Sequence, residues 1–351
     1  GGGGEPVYDA RHVCVTNGAV GAVYCSLAAQ IESSTSDDVV VSPLPSYGLY
    51  MSDAQLLGGT FRALMPTGKA EDGFALSPVD VRRAFDDHGD SLRCLVLCHP
   101  NNPTGRCLSS DEARNLALEL DRQLEVRPDS FSVLLDEVYA GIGGSAHESI
   151  LRYASPALRR SCLLCLSASK GLGGAPGMRA GFVACADPDV TRQLIKVQMA
   201  TGANVSVPSQ EFLAASLRHV LGDPKGVMGD IDAHYRSRTD LVCDRLEEIG
   251  ERYLGHRRAF CPRRPQGTFY VLGRFECLGQ TDLEVQRTLR DAYRSGVRDV
   301  RYGVAVVPLS AFLMDETLCM VRICCAVDLD VLNRAMDVVE YMVSDALATS
   351  K

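Results

Sequence analysis

The 351 residues predict an α/β protein: a large domain, residues 1–230, with a mostly parallel central sheet flanked by helices, and a smaller C-terminal α+β domain, residues 231–351. Three observations carry this expectation. Short apolar runs of strand length alternate with helical patterns through the first half of the chain. Polar and turn-forming residues directly follow several of these runs. Beyond about Pro208 the pattern changes to long helical stretches with a few strands. Strands that alternate with helices build a parallel sheet covered on both faces. Such sheets hold ligands beyond the carboxyl ends of their strands.

Taken in order, the strand-length runs are Val13–Val15, Val39–Val41, Leu92–Cys98, Ser132–Leu135, Cys162–Leu166 and Phe182–Cys185. Between two of them, Ser109 to Leu124 is an amphipathic helix. Ser109 and Glu112 form a capping box, and Ala113, Leu116, Leu120 and Leu124 share a face. Asp187-Pro188 starts another helix, with proline in its first turn. In the C-terminal part, helices are expected through Phe212–Leu221 and Tyr235–Ile249, followed by a strand at Thr268–Leu272. Next come a helix capped by Thr281 and Glu284 and stopped at Gly296, then strands at Val304–Val307 and Leu318–Cys325. A final helix carries Leu329, Leu332, Met336, Val339 and Val343 on one face.

Composition narrows the function classes. Hydrophobic residues make up 46% and charged residues 23%, as in ordinary globular proteins. A net charge of −8 disfavours nucleic acid or an anionic membrane as the main partner. No apolar run approaches the ~18 residues of a membrane span. Many of the 14 cysteines sit inside apolar runs, where they behave as small hydrophobes, so a reducing compartment, the cytoplasm, is expected. Cys162 and Cys165 have a C-x-x-C spacing, but no second pair lies nearby to complete a zinc site, and no metal is expected.

The chemistry gathers behind the strands. Thr16-Asn-Gly-Ala-Val-Gly21 follows the first run and opens a helix whose backbone N–H groups can face an anion. His99-Pro-Asn-Asn-Pro-Thr-Gly105 follows Leu92–Cys98, and Asp136 follows Ser132–Leu135 with Tyr139 three residues on. A carboxylate at the end of a buried strand needs a partner, because an isolated buried charge is costly. The stretch Ser167 to Gly181 is the richest. It offers hydroxyls, Lys170 and Arg179 among glycines that let a backbone approach a ligand. No Walker-type or dinucleotide-binding glycine pattern follows any strand.

The set Asn102-Pro-x-Gly105, Asp136-x-x-Tyr139, Ser167-x-Ser-Lys170, Arg179 and Arg322 resembles the fold-type-I pyridoxal-phosphate enzymes, and within them the class I/II aminotransferases. The resemblance runs from about Val13 to about Val343. It implies that Lys170 holds pyridoxal 5'-phosphate as a Schiff base and shuttles the proton at the substrate Cα. It further implies that Asp136 pairs with the pyridine nitrogen, and that Asn102 and Tyr139 hydrogen-bond the ring oxygen. Gly18, Ala19, Val20, Ser167, Ser169 and Arg179 would hold the phosphate. Tyr47 would stack on the ring, with Tyr50 as a possible substitute. Arg322, together with Asn102, would bind the substrate α-carboxylate.

The implied activity is transfer of an amino group from an L-amino acid to a 2-oxo acid, by a homodimer with shared active sites. A C–S lyase, an aminocyclopropane-carboxylate-synthase-like enzyme and a non-catalytic scaffold are the alternatives that this fold also hosts. Two departures stand out. The interval from Lys170 to Arg179 is one residue longer than the family's spacing. Few residues precede Thr16, so an additional N-terminal segment is expected. The stretch Ala200 to Gln210 contains no arginine, which favours neutral, aromatic or aliphatic amino acids over aspartate.

Overall fold

In the computed structural model, residues 8–32, 37–128, 130–143, 146–297 and 300–349 are described; the four N-terminal glycines lie outside them. The larger sheet has seven strands: β1 (Val13–Thr16), β2 (Val39–Pro43), β3 (Thr60–Leu64), β4 (Leu92–Cys98), β5 (Ser132–Asp136), β6 (Cys162–Ser167) and β7 (Gly181–Ala184). Their order is β1-β7-β6-β5-β4-β2-β3. Strands β3, β2, β4, β5 and β6 run parallel, and β7 is antiparallel to both of its neighbours.

Alternation along each strand divides the core between two faces. Val40, Cys94, Val96 and Leu134 pack with helices α1 (Gly18–Ala28), α2 (Leu49–Leu56) and α6 (Pro188–Gly202). Val41, Leu95, Leu97 and Val133 pack on the other face with α3 (Pro78–His88) and α4 (Ser110–Val126). Helix α5 (Pro156–Ser161) leads into β6. The Ser109–Glu112 capping box forms at the start of α4, and Asp187 caps α6. Cys162 and Cys165 fall on opposite faces of β6, so they cannot converge on one ion.

Helices α7 (Val207–Gly222) and α8 (Pro224–Leu254) lead to a three-stranded antiparallel sheet. Its order is β8 (Tyr270–Arg274), β10 (Met320–Cys324), β9 (Val307–Pro308). Helices α8, α9 (Asp282–Arg290) and α10 (Leu329–Thr349) cover it, burying Val242, Leu246, Val285, Met336 and Val339.

Several elements differ from expectation. Helix α8 is one helix of 31 residues, started by an Asp223 cap and Pro224, so the expected boundary at 230/231 falls inside it. Gly226 and Gly229 do not interrupt it, since each costs a helix only about 1 kcal/mol. The strand expected at Val304–Val307 is the two-residue β9, ended by a proline that has no N–H to donate. Helix α9 ends at Arg290 rather than Gly296, and a short 3-10 turn follows. Strand β3 had no apolar run to mark it; it is an edge strand that buries only Leu64 fully.

Candidate active site

Strands β4, β5 and β6 end together. Cys98 pairs with Asp136, and Asp136 with Cys165, so the segments that follow converge at one edge of the sheet. They open onto a cleft of about 290 Å³. Asn102, Asp136, Tyr139, Ser169, Lys170 and Arg179 border it from the large sheet, Ala19 and Val20 from α1, and Tyr47 from the approach to α2. Arg322 and Tyr270 border it from the small sheet. Gly18 and Ser167 do not border the cleft; both are buried behind it.

Asp136 is buried at the end of β5. One carboxylate oxygen accepts from the Tyr50 hydroxyl at 2.6 Å and the other from the Val138 N–H at 3.2 Å. Burial pushes its pKa up, and these donors oppose the shift. Lys170 is half-buried, its Nζ 5.2 Å from the Phe269 ring centroid and 6.0 Å from that of Tyr139. Burial lowers the pKa of its ammonium; Cys324 counteracts this, while Arg322 and Arg179 reinforce it. The amine is therefore easier to deprotonate than an exposed lysine.

The Asn102 loop is pinned from beneath. Gly105 has φ +67°, and its carbonyl accepts from the N–H groups of Gln266 and Gly267 at 2.9 and 2.8 Å. A Cβ there would lie 2.4 Å from Pro265, so the glycine of the Asn-Pro-Thr-Gly motif is required by packing. The same contact brings the large domain to the segment that enters β8. Asn102 itself accepts from Arg322 Nη1 at 2.8 Å. The Arg322 guanidinium lies 4.1 Å from the Tyr270 ring centroid and 5.0 Å from that of Phe312. Its other N–H groups have no acceptor among the described residues.

On the α1 side, Gly18 has φ +75°, and a Cβ there would lie 2.7 Å from Arg179 Nη2. That cation donates to the carbonyls of Asn17 and Pro176, both at 3.3 Å, and is exposed. The free N–H groups of the first turn of α1 and this guanidinium make an anion cradle. Ser169 donates its backbone N–H to the Ser167 hydroxyl at 2.9 Å, which fixes the turn before Lys170.

One participant, Tyr270, was not identified from sequence. Tyr270 shares a hydrogen bond with Tyr139, hydroxyl to hydroxyl at 2.9 Å, and its ring supports Arg322. Its available signal was the aromatic pair Phe269-Tyr270 at the head of a strand antiparallel to the one carrying the arginine. Tyr50 is 1% exposed with its hydroxyl on Asp136, whereas Tyr47 is 40% exposed and borders the cleft. Tyr47 therefore has the free ring face of the two.

The donor set suits pyridoxal 5'-phosphate: a buried carboxylate for a protonated ring nitrogen, an amine of lowered pKa for the aldehyde, and a cationic helix terminus for the phosphate. Comparison with known proteins agrees. The profile of the family described as "Aminotransferase class I and II" matches residues 5–339. A probable N-acetyl-LL-diaminopimelate aminotransferase of Bacillus subtilis is 28% identical over 342 residues, covering 96% of this chain and 75% of the relative. An aspartate aminotransferase of Musicola paradisiaca is 27% identical over 340 residues, covering 95% and 74%. Among solved structures, an aspartate aminotransferase of Thermotoga maritima aligns with a TM-score of 0.76 at 22% identity, covering 95% of this chain and 76% of that one. The likeness to that structure concerns the fold; the profile spans nearly the whole chain, and the chain belongs to the class I and II aminotransferases, which are pyridoxal-phosphate-dependent enzymes.

Proposed function

We propose that this aminotransferase takes nitrogen from L-amino acids with uncharged side chains and delivers it to a 2-oxo acid. The observation that carries the reading is the placement of Lys170, an amine of lowered pKa in a cleft shared with the Asp136 carboxylate and the Arg322 guanidinium. When bound, pyridoxal 5'-phosphate supplies an aldehyde for the amino nitrogen and a ring that accepts the electrons of the breaking Cα–H bond. Lys170 Nζ takes up the proton from Cα and returns it. Asp136 keeps a positive charge on the ring nitrogen. Asn102 and Tyr139 serve the ring oxygen, and Tyr47 covers the ring. Ala19 and Val20 offer backbone N–H groups to the phosphate, joined by Ser169 and Arg179, while Gly18 and Ser167, buried behind the cleft, shape the turns that carry them. Arg322, steadied by two aromatic rings and by Asn102, binds the substrate carboxylate.

The preference for uncharged side chains is supported by the cleft walls. Val20, Tyr47, Leu49 and Tyr270 border it, and its basic side chains among the described residues are Lys170, Arg179 and Arg322, each with a role. We also assign the protein to the cytoplasm as a homodimer with shared sites. Fourteen free thiols are consistent with a reducing compartment, and the dimer follows from the resemblance. Among the described residues, no helix is long and apolar enough to cross a membrane. The two hydrophobic cores are taken as two domains, 1–230 and 231–351, joined through α8.

The test is Lys170→Ala. The variant should lose turnover by more than about a thousandfold, because it lacks both the covalent amine and the base. With wild type, mixing with phenylalanine, leucine or alanine should change the absorbance of the bound cofactor faster than mixing with aspartate. Turnover near wild type in Lys170→Ala would end the proposed role. A faster response to aspartate would overturn the substrate class.

A further inference from the structure

Tyr50 occupies a place that the cofactor chemistry alone does not require. It lies in the first turn of α2, on the sheet face lined by Val40, Val96 and Leu134, and is 1% exposed. Its ring meets Tyr47 edge-on, with centroids 5.9 Å apart and planes at 88°. Its hydroxyl donates to Asp136 at 2.6 Å, a short bond of the kind made to a charged acceptor.

We infer that Tyr50 is a positioning residue: its hydroxyl orients the Asp136 carboxylate and keeps it ionised, so that the carboxylate can pair with the protonated ring nitrogen. This rests on the reading of Asp136 as the partner of that nitrogen. The surroundings of Asp136 show why a donor is needed. Cys98 on β4 and Cys165 on β6 flank it in register, and Glu137 and Tyr139 follow it in its own loop. Burial pushes the Cys98 thiol up to about 12 and holds the Cys165 thiol and the Tyr139 phenol well above their ordinary values, so these three stay neutral at physiological pH. Glu137 carries like charge and works against ionisation of Asp136. Tyr50 and the Val138 N–H are the donors to Asp136 among the described residues. Burial, and then the charge of Asp136, hold the Tyr50 phenol far above its ordinary pKa, so it keeps its proton and remains a donor.

The sign of the effect follows. Asp136 already has a raised pKa from burial, and its ionised form is favoured by the Tyr50 hydrogen bond. Removing the donor raises that pKa further. As the pH falls, Asp136 then becomes neutral earlier, and a neutral acid cannot balance a protonated ring. A hydrogen bond to a charged group is worth about one to two pH units on such a titration.

The experiment measures pyridoxal 5'-phosphate affinity by fluorescence titration from pH 5.5 to 8.5 for wild type, Tyr50→Phe, Asp136→Asn and the double variant, each first confirmed as folded by urea denaturation. The phosphate's own titration is common to all four and cancels in the differences. The expected result is an acid-side loss of affinity that sets in about one to two pH units higher in Tyr50→Phe than in wild type. In the Asp136→Asn background, the same substitution should leave the pH profile unchanged. Affinity of Asp136→Asn equal to wild type would overturn the reading of Asp136 itself. A weakened Asp136→Asn, with Tyr50→Phe equal to wild type or with a Tyr50→Phe effect that persists beside asparagine, would overturn the role of Tyr50 alone. Site-specific 3,5-difluorotyrosine at position 50 provides a converse test should the phenylalanine variant not fold. As a stronger donor it should move the acid limb to lower pH, and an unmoved limb would count against the inference.

Discussion

Asp136 and Arg179 border the same cleft and are held by contrasting means. Asp136 is buried, 5% exposed, with a donor on each carboxylate oxygen. Arg179 is exposed, sits in the left-handed region at φ 51°, and donates to two backbone carbonyls at 3.3 Å. A carboxylate that must keep a ring nitrogen protonated works best where water is excluded and its geometry is set in advance. A cation that captures a phosphate can remain solvated, because the helix terminus beside it supplies directed N–H groups. The lesson is that one cleft contains a rigid, dry part and a wet, adjustable part, and the two should fail differently.

Asp136→Asn gives the largest expected contrast. Breaking a buried ion pair on one side costs about 3–5 kcal/mol, which corresponds to a rate loss of roughly 10²–10³-fold or more. Because the site is buried, this loss should barely respond to salt between 0.05 and 0.5 M, concentrations chosen to span a roughly threefold change in the ~10 Å screening length. Steady-state rates across that range check it, and a loss that salt largely reproduces in wild type would break the comparison.

Acid should act on the dry part next. His99, at the end of β4 beside the Asn102 loop, is 8% exposed, and its Nδ1 has no hydrogen-bond partner among the described residues. Burial, then the neighbouring His147 and Arg106, push its pKa down to about 3. An unfolded chain takes up this proton near pH 6.5, while the folded chain refuses it until about pH 3. Stability from this group is therefore complete above the unfolded value and is lost as the pH falls from about 6.5 to about 3. The loss is on the order of 5 kcal/mol. Urea midpoints measured from pH 7 to 4 should fall less steeply in His99→Gln than in wild type; equal slopes would remove the histidine from the account.

Arg179→Ala should have the smallest effect of the three. A solvated charge contact contributes about 1 kcal/mol, so cofactor affinity should fall by no more than about tenfold. In contrast to Asp136→Asn, the difference from wild type should shrink as salt is raised. A salt-independent loss of a hundredfold would mean that the phosphate end is as dry and rigid as the ring end.

The chain itself determined much of this. Strand-length apolar runs marked β1, β2, β4, β5, β6 and β7, because a strand buried on both faces must be apolar along its length. Residues directly after those runs supplied Asn102, Asp136 and Lys170, because a parallel sheet opens its ligand site there. The chain did not reveal Tyr270, and it offered Tyr50 only as a possible ring-stacking residue, not as the partner of Asp136. Each is an aromatic residue in an ordinary apolar setting, and its role depends on a hydroxyl that meets Asp136 or Tyr139 over separations of 86 and 131 residues. The unbroken course of α8 and the bond from Arg322 to Asn102 were also settled only in three dimensions. Local pattern reports what a segment buries; which two polar groups meet is decided by how the strands and the two cores are brought together.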